Sequence, residues 1–278
     1  MSEKKFYKLI FKQQQPIHIG TGRYGVISET RIFVPGWTMW GALTKKYNQL
    51  FENGDLSKNQ ELFEEITCFY PAFESKQFKP LLPKWENGEF YLDSCSETAF
   101  SETAFRAKFV DTFVSTSIVP LSRMAKDESL HEINIILPSI KKEFSEGINK
   151  ELFWVGILKV NAEVRKTFLK ENNLELIVGG DSRYGFGKFL LTKIDETSEL
   201  DEDFNNIYFS NFLSISLPEK EVIVESKIEN IIEMDRNQGN KSFSIKSKGL
   251  YYLPGYNKDI LKNSISQTEL VKGCLEKK

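Results

Sequence analysis

Residues Val178 to Phe189 read VGGDSRYGFGKF, four glycines set around an Asp, an Arg, a Tyr and a Lys. Glycine takes positive φ at little cost and carries no Cβ, so such a loop approaches other atoms closely and can aim main-chain N–H groups at phosphate oxygens. Arg183 and Lys188 add positive charge. The spacing excludes two common nucleotide motifs. A P-loop needs G-x-x-x-x-G-K-[ST], whereas Gly180 and Gly185 are followed here by Phe186, and Lys188 by Phe189 rather than a hydroxyl. The dinucleotide fingerprint lacks its third glycine after Gly185-Phe-Gly187, and the KFLLTKI that follows reads as a strand, not a helix. The segment is expected to be a glycine loop running from a helix-like stretch into a strand.

A chain of 278 residues with 40% hydrophobic content can bury a substantial core, as one elaborated domain or two small ones. Cys68, Cys95 and Cys274 are scattered, show no C-x-x-C spacing and accompany only His18 and His131, which argues against zinc or any other metal and against a secreted disulfide framework. A reducing cytoplasm is the expected location, with no cofactor. No stretch reaches the roughly 18 apolar residues that a membrane span needs, so no membrane partner is expected. The formal charge of -2 is unevenly distributed: residues 1–50 carry eight Lys/Arg against two acids, and residues 51–105 carry four against eleven. Such segregation suits a protein that presents one face to an anion and another to protein neighbours.

The local patterns place elements in order. FYKLIFKQQQPIHI alternates as a strand from Phe6 to Ile19, with Pro16 marking an edge or bulge, and Gly20-Thr-Gly22-Arg-Tyr-Gly25 forms a second glycine loop. Pro35-Gly36 opens a helix whose Met39, Ala42, Leu43, Tyr47, Leu50 and Phe51 keep the 3.6 period, and a shorter helix is expected over Leu62 to Phe69, ending before Pro71. Residues 74–105 read as an irregular insertion with a turn at Asn87-Gly88 and a tandem SETAF-SETAF. Phe109 to Val119 and Leu130 to Leu137 are strands flanking the loop SRMAKDE, Phe153 to Val160 is an apolar strand, and Asn161 caps a helix AEVRKTFLKENN. With the strand Lys188 to Ile194 this gives the β-α-β-β-α-β order of an α+β, ferredoxin-like domain over residues 1–194. The acidic run Asp195 to Phe204 reads as a linker or surface excursion, and residues 195–278 as a β-rich region with a hairpin turn at Asn237 to Asn240.

Four segments in this order resemble the RAMP superfamily of CRISPR-associated proteins. PIHIGTGRYG resembles its opening strand and glycine turn, VPGWTMWGALTKKY its Pro-Gly helix start, SRMAKDESLHEINIILP its middle hairpin, and VGGDSRYGFGKF its late glycine-rich loop. From the first to the last they span about two-thirds of the chain, and ordered matches reinforce one another. The resemblance implies a RAMP ferredoxin-like fold with an insertion near 52–105. It also implies a place in a type III effector complex in antiviral defence, with guide crRNA, other RAMP subunits and the large polymerase-like subunit as partners and target RNA as an indirect one. WTMWGALT and the preceding Thr30-Arg31 resemble most the subunit that caps the 5′ handle of the guide in type III-D complexes.

Target-cutting backbone subunits of the superfamily carry a catalytic Asp between the opening strand and the helix start. Here GTGRYGVISETRIFVPG contains no Asp and only Glu29 as an acid, so the expectation is a non-catalytic RNA-binding subunit. The alternatives are a repeat-processing endoribonuclease or target-cutting subunit, for which His18 and Glu29 are the candidate catalytic residues, and a protein interaction subunit without RNA contact. For RNA the expected donors are the backbone of Gly20, Gly22, Gly179, Gly180, Gly185 and Gly187 and the helix start at Gly36. Arg23, Arg31, Lys45, Arg123, Arg183 and Lys188 would supply charge, Trp37, Tyr184 or Phe186 a stacking surface, and His18 a further polar contact. Asp181 would cap its own loop or pair with Arg183.

Overall fold

The computed structural model describes residues 3–55, 57–93, 99–145, 150–217, 224–236, 243–257 and 268–278. The first strand, β1 (Lys4–Gln13), is buried without interruption from Tyr7 to Phe11, because it is a central strand covered on both faces. Pro16 ends it: the chain turns out of the first sheet there, and Ile17 instead exchanges backbone hydrogen bonds with Ile136. The expected strand to Ile19 is thus two segments in two sheets. GTGRYG, expected as a loop, is mostly β2 (Gly20–Tyr24), paired with β3 (Ile27–Thr30) around Gly25 at φ 61°.

Helix α1 (Gly36–Phe51) lies where the 3.6 period puts it and buries Met39, Ala42 and Leu43, while Leu50 and Phe51 stay exposed. The second expected helix does not form. Only Gln60–Leu62 turns as 3-10 helix; Thr67 N–H then bonds Ile157 O, Phe69 and Val34 exchange hydrogen bonds, and β4 (Tyr70–Phe73) follows. Neighbouring strands supply these backbone partners, and tertiary pairing overrides the apolar spacing. Pro71 is tolerated because β4 is an edge strand.

The expected irregular insertion is a meander of β5 (Leu82–Glu86), β6 (Glu89–Asp93) and β7 (Ala99–Ser101), turning at Asn87-Gly88 where both φ are positive, followed by α2 (Glu102–Phe109). The tandem pentapeptide splits between conformations: Phe100 is in a strand and Phe105 in a helix capped by the Ser101 side chain. The next hairpin, β8 (Val110–Ser115) and β9 (His131–Ile136), joins β2 and β3 in a separate four-stranded sheet. Its strands were expected in the ferredoxin-like sheet, but β4 takes that place.

The apolar strand is β10 (Leu152–Asn161), and Asn161 does cap α3 (Ala162–Thr167), its side chain accepting the Val164 N–H at 2.8 Å. The helix is shorter than expected, and β11 (Glu175–Ile177) follows it, so the glycine loop joins two antiparallel strands, β11 and β12 (Lys188–Thr197), rather than a helix and a strand. The first sheet has the order β11-β12-β1-β10-β4, antiparallel throughout. Taking β1, β4, β10 and β12 as strands one to four, this is the ferredoxin-like 4-1-3-2 arrangement with an added edge strand.

The acidic run is built into the fold. β12 continues through Thr197, Asp201 Oδ2 accepts the Ser198 N–H, and Glu202 and Asp203 lie at the positive end of α4 (Glu202–Tyr208). α4 buries Phe204, whose ring meets Phe6 edge-on at 4.8 Å. IYFSNFLSISL, in the region expected to be β-rich, is therefore the end of this helix followed by the short β13 (Phe212–Ser214). Then come β14 (Ile228–Arg236), β15 (Phe243–Tyr252), β16 (Thr268–Val271) and β17 (Cys274–Lys277), in the order β14-β15-β13-β17-β16. The turn expected at 237–240 lies outside the described residues. Phe212, Ile231, Tyr251 and Cys274 share the main core with the first sheet. The fold is α+β and ferredoxin-like, with a β-rich C-terminal extension.

Candidate functional site

The glycine loop is clamped onto the segment after β1, backbone against backbone. Gly180 N–H donates to His18 O at 2.9 Å and Gly187 N–H to Pro16 O at 2.8 Å, while Val178 N–H returns to Gly187 O. Two glycines are required by this contact. Gly179, at φ 86°, would drive a Cβ against His18 O and to within 2.9 Å of Ile19 Cδ1; Gly187, at φ 96°, would drive one into Val178. Between them Ser182–Tyr184 form a 3-10 turn whose Tyr184 and Gly185 N–H groups bond back to Asp181 and Ser182. Much of the expected phosphate cradle is therefore occupied by the protein's own carbonyls. Asp181 makes no side-chain cap, and among the described residues no ion pair joins it to Arg183.

Beside the loop a cleft of about 630 Å³ opens. Its walls come from four places: His18 to Thr21 with Arg31; Pro35, Trp37, Thr38, Gly41, Ala42 and Lys45 of α1 and its start; Ile177, Gly179, Gly180 and Ser182; and Glu229 to Ile232 of β14. Of the expected residues it gathers His18, Gly20, Arg31, Trp37, Lys45, Gly179 and Gly180. Thr21, Thr38, Ser182 and the β14 residues were not expected. The hydroxyls lie within the quoted segments but were given no role beside the glycines and cations there, and β14 is a C-terminal edge strand brought here only by folding.

The charges in the cleft differ from the expectation. Arg31 is 7% exposed, and its Nη2 donates to both carboxylate oxygens of Glu229, at 2.7 and 2.9 Å, while its guanidinium lies 5.3 Å from the Phe33 ring and 5.5 Å from that of Phe212. Its charge is neutralised within the protein, so it is a strut between β3 and β14 and not a free cation. Lys45 is exposed, and among the described residues it has no ion partner. Trp37 is half-buried, its ring 4.8 Å from that of Phe212. The helix start is not an open anion site: Gly36 packs against the turn at Gly273, where a Cβ would come within 2.5 Å of Gly273 Cα. The Gly36 amide lies on Cys68, whose thiol burial pushes up to about 12, far from a nucleophilic thiolate.

His18 is 6% exposed, and its Nδ1 lies 2.8 Å from Asn134 O. Glu29 lines a different cleft, so the expected His18–Glu29 pair is not assembled. Lys188 is held by Glu175 at 2.7 Å. Phe186 is not a stacking surface: it is buried with Ile133 and Ile135, its ring 5.3 Å from that of Phe113. Tyr184 is exposed beside Phe113, with its OH 3.4 Å from His131 Nε2. Arg183 is exposed and does not line the cleft, Arg23 on the β2–β3 hairpin bonds Gly25 O, Gly22 lies on that hairpin outside the cleft, and Arg123 sits at φ 53° in the exposed β8–β9 connection. Among the described residues no group of metal-ligating side chains occurs, and no helix is long and apolar enough to cross a membrane.

No protein-family model and no curated protein matches this chain. Among solved structures it is similar to a chain of the cryo-EM structure of the type III-B Cmr-beta bound to cognate target RNA and AMPPnP, state 1, at 15% identity over 90% of this chain and 84% of that one, with a TM-score of 0.55. It is also similar to a chain of type III-B Cmr-beta bound to cognate target RNA, at 15% identity over 97% of this chain and 99% of that one, with a TM-score of 0.54. At this identity the likeness is one of fold.

Proposed function

We propose that this chain is a non-cutting RNA-holding subunit of a type III CRISPR effector complex, seating guide RNA in the cleft between the glycine loop and α1. The segment held is the 5′ handle, in a type III-D-like arrangement. The observation that carries the reading is convergence: His18–Gly20, Trp37–Lys45 and Gly179–Gly180, from three of the four RAMP-like segments, wall one cleft. The fold shared with chains of RNA-bound type III-B assemblies supports it. Glycine walls let a nucleic-acid backbone approach, Trp37 offers a ring to an unpaired base, and Lys45 supplies charge. The neighbours are other RAMP subunits and the large polymerase-like subunit, with target RNA an indirect partner. In support, the β8–β9 connection exposes Ile118, Leu121 and Met124 at 64, 99 and 68%, more apolar surface than a free loop needs.

Labelled guide RNA titrated at several salt concentrations tests this reading. Lys45→Ala is expected to reduce the slope of log affinity against log salt by about one, while Lys188→Ala, already paired with Glu175, leaves it unchanged. An unaltered slope in Lys45→Ala overturns the proposal.

One contact favours a second reading, endoribonuclease activity: the Tyr184 hydroxyl beside His131 Nε2, a pairing of the acid-base type. The pair lies outside the cleft lining. The isolated chain, incubated with repeat RNA, is expected to leave it intact; cleavage that disappears in His131→Ala would replace the non-cutting reading.

A further inference from the structure

We infer that His18 makes the cleft selective for RNA over DNA by accepting a hydrogen bond from a ribose 2′-hydroxyl; this rests on the RNA reading of the cleft. The His18 Nδ1 faces the carbonyl oxygen of Asn134 at 2.8 Å. A carbonyl only accepts, so Nδ1 is the donor there, and Nε2 is the ring nitrogen left to act as an acceptor. Among the described residues Nε2 has no partner, although the residue is 94% buried (6% exposed).

Two glycines keep that edge open. A Cβ at Gly20 would lie 3.3 Å from Nε2, and one at Gly180 would lie 3.5 Å from Cδ2. Both glycines are exposed and line the cleft, so the ring edge is reached from solvent between them. Gly180 also anchors the main chain of His18, because its N–H donates to the His18 carbonyl. The ring is thus held through Nδ1 on an anchored backbone, and neither glycine shields Nε2.

The ligand facing it must bring a donor. In a nucleic-acid backbone the phosphate and ring oxygens only accept, and the 2′-hydroxyl is the sole donor. That hydroxyl can also accept, and Thr38, Ser182 and Lys45 in the same cleft are donors for it. A deoxyribose at the same place leaves Nε2 covered and unpaired, which weakens binding about tenfold.

Fluorescein-labelled single-stranded RNA and DNA of one sequence, titrated against the full chain, provide the test. RNA is expected to bind about tenfold tighter than DNA. His18→Asn keeps a donor for Asn134 O but ends short of the Nε2 position; its RNA affinity is expected to fall to the DNA value while the DNA affinity holds. His18→Gln, which returns an acceptor to that position, is expected to restore part of the preference. A scan of single 2′-deoxy substitutions in the RNA needs no variant, and on the wild-type chain one position is expected to carry most of the loss. Equal affinities for RNA and DNA, a preference that survives His18→Asn, or a deoxy scan with no sensitive position each overturn the inference. In those cases a salt slope still reduced by Lys45→Ala leaves the RNA reading standing; a slope that Lys45→Ala does not change overturns that reading as well.

Discussion

Gly179→Ala is expected to lower the unfolding free energy by about 2–5 kcal/mol, the sum of a left-handed backbone in a residue with a Cβ and of forced overpacking. The nearest atom in the way is backbone: the added carbon meets His18 O, besides lying 2.9 Å from the side-chain Cδ1 of Ile19, and the His18 carbonyl is held in place by the Gly180 N–H. Gly185→Ala is the matched control. Its φ is 84°, but nothing lies within 4 Å of the added carbon, so only the conformational cost of about 1–2 kcal/mol remains. Urea titration followed by circular dichroism measures both. A loss at Gly179 no larger than at Gly185 would show that the loop does not depend on its close approach to His18.

The second large effect belongs to Arg31. Removing one partner of a buried pair strands the other, and for fully buried pairs the loss is about 3–5 kcal/mol. Glu229 keeps 33% of its side chain exposed, so water compensates in part, and Arg31→Ala is expected to cost about 2–3 kcal/mol. Replacing both residues with Met removes the stranded charge and is expected to recover most of that loss. Arg31→Lys is expected to fall between wild type and Ala: its ammonium can still pair with Glu229, but it lacks the planar guanidinium that lies over the Phe33 and Phe212 rings. A wild-type denaturation midpoint in Arg31→Ala would show that the pair is not a strut.

Much of the architecture was legible in the chain because its signals are local. The period of Met39, Ala42 and Leu43 marked α1, Asn161 marked a helix start, alternation marked β8 and β9, and an apolar run marked β10. Leu62 to Phe69 misled because apolar spacing is blind to backbone partners: Ile157 and Val34, remote in sequence, supply the bonds that hold this stretch extended. The acidic run misled because Asp201, Glu202 and Asp203 read as solvated charge, while Phe204 and Ile207 at the next positions anchor α4 to the core.

Of the candidate site, the residues with a chemical signature were found and their duties were not. Arg31 reads as a phosphate ligand until Glu229, 198 residues away, is seen to hold it, and Phe186 reads as a stacking ring until Ile133 and Ile135 cover it. VGGDSRYGFGKF by itself determined that a backbone would pass close to another here, since positive φ and a missing Cβ are properties of single residues. Only the tertiary structure decided what it passes: the His18 segment, not a ligand, with a cleft beside it that the β14 edge strand completes. The physical reason is range. Backbone preference is set within a few residues, whereas burial, ion pairing and the walls of a cleft depend on which distant segments the folded core brings together.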